Sequence, residues 1–152
     1  MPGIQELTAQ GRNINLAISL HGASQELRNR LMPINRKYPF PEVIQAADAY
    51  EKSNGRQVMY EYILLAGIND RPEDARNLAD ALEHKECVIN LIPANPVPEK
   101  GFERPSDRAV DRFFQMLKKR RLNVTVRKEM GKDINAACGQ LRASALKEAQ
   151  NQ

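Results

Sequence analysis

The chain has 152 residues, close to the usual size of a single domain, and 41% of them are hydrophobic. Two cysteines are too few for a disulfide scaffold, and no apolar run approaches the roughly 18 residues that cross a bilayer. The N-terminus lacks a signal-peptide pattern, so we predict a cytoplasmic protein without membrane contact. The formal net charge of +4 is compatible with an RNA partner but does not require one, and the 5% of aromatic residues predicts an aliphatic core.

Hydrophobic periodicity divides the chain into alternating helices and strands. Ser24 is typical of a helix N-cap, Pro41 suits a first helical turn, and Asn54-Gly55 is typical of a helix end. The predicted elements, in chain order, are a helix end at 3–11, strand 14–20, helices 24–32 and 41–53, strand 58–65, helix 70–82, strand 88–93, helix 106–121 and strand 123–127. We predict one domain over residues 1–152, with 143–152 as a disordered tail.

The alternation of strands and helices predicts an α/β fold. Strands separated by helices of this length favour right-handed crossovers and a parallel sheet. No glycine-rich phosphate fingerprint follows the first strand, which disfavours a nucleotide-binding Rossmann domain. About four parallel strands with helices on the outer face amount to half of a βα barrel. Such a half barrel leaves two open sheet edges and one poorly covered face, so we expect it to have a partner.

Polar and small residues follow the strands, at the end of a βα barrel where ligands bind. Ser19, Leu20 and His21 follow the first strand, Asn95 follows the third, and the loop after the fourth strand leads to Cys138. Taken alone, His21 could simply hydrogen-bond its own loop. Cys138 could likewise be a buried structural thiol, because reactivity needs a lowered pKa or an activating partner.

Two polar residues interrupt otherwise apolar strands. Glu61 lies between two tyrosines, and Asn90 lies between Ile89 and Leu91. A buried carboxylate is costly unless it is paired, so Glu61 should have a partner or a ligand. The alternative is a solvated or salt-bridged edge residue. Cys87, at the start of a strand, reads as a small buried apolar residue.

Five segments carry a resemblance to known proteins: NLAISLH (15–21), LRNRLMPIN (27–35), EYILLAGIND (61–70), NLIPANP (90–96) and, most specifically, DINAACGQL (133–141). Together they resemble one family, the radical-SAM methyltransferases that act on C2 of an adenine in large-subunit ribosomal RNA (23S) and transfer RNA. The antibiotic-resistance methyltransferase Cfr, which modifies C8, is a close relative of that family. The resemblance extends over residues 13–142.

The resemblance implies a partial radical-SAM barrel and a role for each matching residue. Cys138 matches the cysteine that receives a methyl group from one S-adenosyl-L-methionine (SAM). A second SAM is cleaved to a deoxyadenosyl radical, which takes a hydrogen from the S-methyl group, and the resulting methylene radical adds to C2 of the adenine. Ser19, Leu20, His21 and Asn95 match positions that bind SAM.

Several parts of the family pattern do not occur in this chain. The CxxxCxxC loop that holds the family's [4Fe-4S] cluster lies N-terminal to the matching part. The second catalytic cysteine, the accessory RNA-contacting domain and the N-terminal half of the barrel lie there too. Met1-Pro2-Gly3 suggests a start inside the parent enzyme. We therefore expect this polypeptide to be inactive alone, and its exposed sheet edges to favour a homodimer or pairing with the missing half.

Two other functions fit the residues. One is a non-enzymatic partial barrel that binds nucleotide or RNA. The other is an unrelated small α/β enzyme with Cys138 as nucleophile and His21 as base, which needs the two side chains within hydrogen-bond reach. The loops that follow the strands form the rim of the half barrel. We expect four basic residues near this rim to contact RNA phosphates: Arg28, Arg30, Arg36 and Lys37. The basic run 118–121 reads as a solvated helix terminus.

Overall fold

The structure, a computed structural model, describes residues 2–11, 14–97, 99 and 101–127. Its elements follow the predicted order. They are helix α1 (Pro2–Gln10), strand β1 (Ala17–Ser19), helix α2 (Gln25–Leu31), a 3-10 helix (Pro33–Arg36), helix α3 (Phe40–Asn54), strand β2 (Val58–Leu64), helix α4 (Pro72–Leu82), strand β3 (Cys87–Pro93), helix α5 (Asp107–Lys119) and strand β4 (Asn123–Val126).

The four strands form one parallel sheet in the order β1-β2-β3-β4. This confirms the predicted α/β architecture with about four parallel strands. Strand β1 is shorter than the predicted 14–20, although backbone bonds extend its pairing with β2 by one residue at each end, from Leu16 to Leu20. At Ile14 the carbonyl oxygen accepts the Tyr50 hydroxyl instead, so the first part of the predicted strand lies outside the ladder.

Helix boundaries follow local capping. The Ser24 hydroxyl accepts the Leu27 N–H at 3.2 Å, which begins α2 as predicted. Gly55 adopts φ 62° and ends α3, a conformation that glycine takes without the Cβ penalty. No helix in the described part of the chain combines the length and apolarity that a membrane crossing needs.

The two faces of the sheet differ in what covers them. On one face, alternate strand residues are buried against apolar positions of α3, α4 and α5. The prediction of an aliphatic core was wrong in one respect, because Tyr50, Tyr60, Tyr62 and Phe113 are all at most 1% exposed. The Tyr62 and Phe113 rings lie 5.3 Å apart. On the opposite face the alternating residues of β2 and β3 stay partly exposed, as expected for half of a barrel.

Candidate functional site

The turn after β1 holds His21 in an uncommon conformation. Its φ of 55° lies in the left-handed region, which residues other than glycine rarely adopt. The Ile63 N–H donates to His21 Nδ1 at 3.2 Å, so Nδ1 acts as an acceptor and the proton of the neutral ring is assigned to Nε2. The imidazole therefore takes the place of a strand residue beside β2 and keeps Nε2–H as a donor.

Asn69, fully buried after β2, joins the turns that follow the first two strands. Its Nδ2 donates to the carbonyl oxygens of His21 at 2.9 Å and Ile63 at 2.7 Å. Its Oδ1 accepts the Leu65 N–H at 2.7 Å, and its own carbonyl accepts the Tyr62 hydroxyl at 3.1 Å. One side chain thus fixes the relative position of two rim segments that lie 48 residues apart in sequence.

A row of four polar side chains crosses the open face of the sheet. The strand register aligns Ser19 with Glu61, Glu61 with Asn90, and Asn90 with Thr125. Because alternate strand residues share a face, all four are placed on the face that the helices leave open. Within the described residues the Glu61 carboxylate forms no hydrogen bond or ion pair, and it is only partly buried. The salt-bridged alternative for Glu61 is therefore not what the structure shows.

The rim electrostatics favour a neutral imidazole. Burial lowers the pKa of His21 most strongly. The Glu61 carboxylate and a hydrogen bond with the Glu61 backbone raise this pKa, the Arg28 charge lowers it, and the net direction is downward. A lowered pKa and an occupied Nδ1 make His21 a poor general base. This argues against the reading in which His21 activates a cysteine nucleophile.

The other predicted SAM contacts are placed unequally. The side chain of Leu20 is fully buried, and its backbone is engaged with Glu61 and Arg28, so Ser19 and His21 present the side chains of that segment to the rim. Asn95 lies just beyond β3 and is exposed. The residue before it, Ala94, is held to β2 by a 2.9 Å bond from its N–H to Leu64 O. Since β1 and β3 are two strands apart, about 10 Å separates the two sides of this rim. Cys138 and the loop before it lie outside the described residues.

One predicted RNA contact, Arg28, is corrected by the structure. Arg28 is 2% exposed, and its guanidinium bonds protein carbonyls rather than facing outward. Its neighbours Arg30, Arg36 and Lys37 are exposed and remain candidates for phosphate contact. Sequence reasoning missed both Arg28 and the amide of Asn69 as rim supports, because neither type of residue is usually buried.

The described residues do not fit an iron–sulfur cluster. They contain no group of three or more His, Cys, Asp or Glu side chains that could hold a metal ion. Cys87 is buried, as predicted, and burial raises the pKa of its thiol to about 11, which opposes the thiolate form that ligates iron.

Comparisons with known proteins agree with this architecture. No protein-family model matches the chain. It is 51% identical over 142 residues to a probable dual-specificity RNA methyltransferase RlmN of Desulforamulus reducens, covering 93% of the chain and 41% of that protein. The Bacillus subtilis protein of the same name is 48% identical, with 94% of the chain and 39% of that protein covered. The chain is homologous to a C-terminal part of the RlmN proteins.

Solved structures extend the likeness to the fold. A crystal structure of a radical SAM methyltransferase from Sphaerobacter thermophilus superposes on this RlmN-like chain with a TM-score of 0.86 at 44% identity. That match covers 91% of this chain and 41% of the other. A domain of pyruvate-formate lyase-activating enzyme from Bacteroides vulgatus gives a TM-score of 0.65 at 18% identity over 84% of this chain and 74% of that one, which shows a shared fold alone. The half barrel is thus part of a radical SAM architecture.

Proposed function

We propose that this chain is the C-terminal part of a radical SAM enzyme that methylates C2 of an adenine in 23S rRNA and tRNA. Ser19, His21 and Asn95 bind SAM, and Cys138 carries the one-carbon unit as an S-methylcysteine. The observation that carries the proposal is the end of β1, where the left-handed His21 follows Ser19 and the Glu61 carboxylate of the neighbouring strand lies level with Ser19 on the open face of the sheet. The proposed RNA substrates place the activity in the cytoplasm.

The polar and apolar groups near the end of β1 and on the open face match the groups that SAM offers for binding. The Glu61 carboxylate can accept hydrogen bonds from an ammonium group or from ribose hydroxyls, and His21 Nε2–H can donate. Partly buried Ile63 and Ile92 lie two residues beyond the polar row on the same face and offer an apolar surface for an adenine ring. SAM supplies both the methyl group and the radical when it is bound, and the task of this chain is to hold it in position.

The iron–sulfur cluster has to come from another part of the parent enzyme, since the described residues do not fit it. Only two cysteines occur in the sequence, and one of them is the proposed methyl carrier. We therefore propose that the chain alone does not methylate RNA.

The remaining part of the barrel is the partner that we propose for the open edge of β1. A partly open cavity of about 290 Å³ lies along that edge, with mostly apolar walls from α1, β1, the 3-10 helix and α3, and with Ser19 and Arg28 also in its lining. Ile14 and Ile34 are 41% and 51% exposed. A preceding strand and helix would pair with β1 and cover these side chains, whereas a second copy of this chain is the competing occupant. Exposed Arg30, Arg36 and Lys37 are proposed to contact RNA phosphates.

A chimera tests the activity directly. The matching part of the Bacillus subtilis relative is replaced by this chain, and the product is expressed in cells that lack their own enzyme. We expect methylated adenine in 23S rRNA and tRNA by mass spectrometry of digested RNA. The same chimera with Cys138→Ala should yield none, and the isolated chain with SAM and reductant should also yield none.

Two results would contradict the proposal. One is a folded chimera that binds SAM but leaves the RNA unmodified. The other is full methylation by the Cys138→Ala chimera, which would remove the cysteine from the reaction.

A further inference from the structure

Arg28 is a cationic side chain enclosed in the protein without a carboxylate partner among the described residues. It is 2% exposed, and burial alone lowers its pKa. A buried charge is costly unless hydrogen bonds satisfy it, so the atoms that receive its protons indicate what the side chain holds in place.

The guanidinium of Arg28 donates to backbone carbonyls at the end of β1 on one side and to a buried side-chain amide on the other. Its Nη1 donates to Leu20 O at 2.6 Å and more weakly to Ser19 O at 3.4 Å. Its Nε donates to Asn35 Oδ1 at 2.8 Å, and the fully buried Asn35 is held in turn by a 2.8 Å bond from its Nδ2 to Asn29 Oδ1. The fork of the guanidinium therefore links the 3-10 helix to the end of β1.

Close packing adds to these bonds. A Cβ atom on Gly22 would lie 3.0 Å from Leu27 Cγ and 3.3 Å from Arg28 Cγ, so the turn lies directly on α2. From the β2 side, Asn69 and the Ile63 N–H bond His21. The left-handed residue is thus held from two directions, and only such constraints keep a non-glycine residue in that conformation.

We infer that Arg28 is a positioning residue whose bonds to Ser19 O and Leu20 O set the turn that presents Ser19 and His21 to the open face of the sheet. The inference rests on the proposed function only in that the presented groups would bind SAM. Arg28 bonds the backbone carbonyls of that segment, and no hydrogen bond to the Ser19 or His21 side chain is among those of the described residues.

Hydrogen exchange of single amides separates positioning from general stability. The Ile63 amide reports the turn, because its bond to His21 Nδ1 exists only while the turn holds its shape. The Ile89 and Leu91 amides report the sheet. We expect Arg28→Lys to reduce the protection of Ile63 about tenfold more than that of Ile89 and Leu91, since one ammonium cannot reach both Asn35 and Leu20. Arg30→Lys, on the exposed side of the same helix, is the matched control and should change none of them.

An equal loss of protection at all three amides, or no loss at Ile63, would overturn the inference. Asn35→Ala serves as a second variant if Arg28→Lys fails to fold, because it removes the Nε partner without touching the turn, and the same two outcomes apply. SAM calorimetry on the same proteins adds a separate result. If Ile63 responds but the wild-type chain binds no SAM, the positioning role stands and the proposed function fails.

Discussion

The two faces of the sheet are built from the same strands, yet they differ in what a substitution should do. On the helix-covered face, Tyr60 and Tyr62 are at most 1% exposed and pack into the core. One residue along, on the open face, Met59 is 39% exposed, and the Glu61 carboxylate forms no hydrogen bond or ion pair with the described residues. A single step along a strand therefore moves a side chain from the part that stabilises the fold to the part that is free to bind.

The largest expected difference between the faces comes from neighbours on β3. Leu91→Ala should lower the free energy of unfolding by about 2–5 kcal/mol, because Leu91 is fully buried and its removal leaves a cavity. Asn90→Ala, on the open face of the same strand, should cost about 0.5 kcal/mol or less. Urea denaturation of both variants measures the difference, and similar costs would show that the open face also belongs to the core.

A smaller difference is expected between two asparagines on the rim. Asn69→Ala should cost roughly 2–3 kcal/mol, because it leaves the Leu65 N–H and two carbonyls without their partner. Asn95→Ala, at an exposed position, should leave stability unchanged and weaken SAM binding. Urea denaturation and calorimetry on the pair provide the check. A stability cost for Asn95→Ala equal to that for Asn69→Ala would remove the distinction between support and contact.

These comparisons also show what the sequence could and could not predict. Periodicity located all four strands and their helices, because alternation and helical spacing are local signals. The strand at 14–20 was predicted too long, since the Tyr50 hydroxyl that takes Ile14 O comes from 36 residues away. Arg28 is predicted to contact phosphates because it lies by the loop after the first strand, whereas its burial depends on where Asn35 lies in the folded chain. The role of Cys138 stays a prediction.

The smallest expected effect is a pH dependence at the rim. Because the pKa of His21 is lowered in the folded chain, its unfolded form binds more protons, and stability should fall as the pH drops below about 6.5 and through the folded pKa. A His21→Gln variant lacks this titration, so the wild type should lose more stability between pH 7.5 and 5. Denaturation at both pH values tests this, and a larger loss in the variant would reverse the assigned sign.

The central claim is that the rim of this half barrel binds SAM while the helix-covered face only supports it. The most direct measurement is a SAM titration of the isotope-labelled chain followed by amide chemical shifts, with His21→Ala as the variant. The account predicts chemical-shift changes at Ser19, His21, Ile63 and Asn95 and none at Tyr60 or Leu91. In the His21→Ala variant the affinity for SAM should fall at least about tenfold. Unchanged rim amides at about 1 mM SAM, or shifts confined to the helix-covered face, would contradict it.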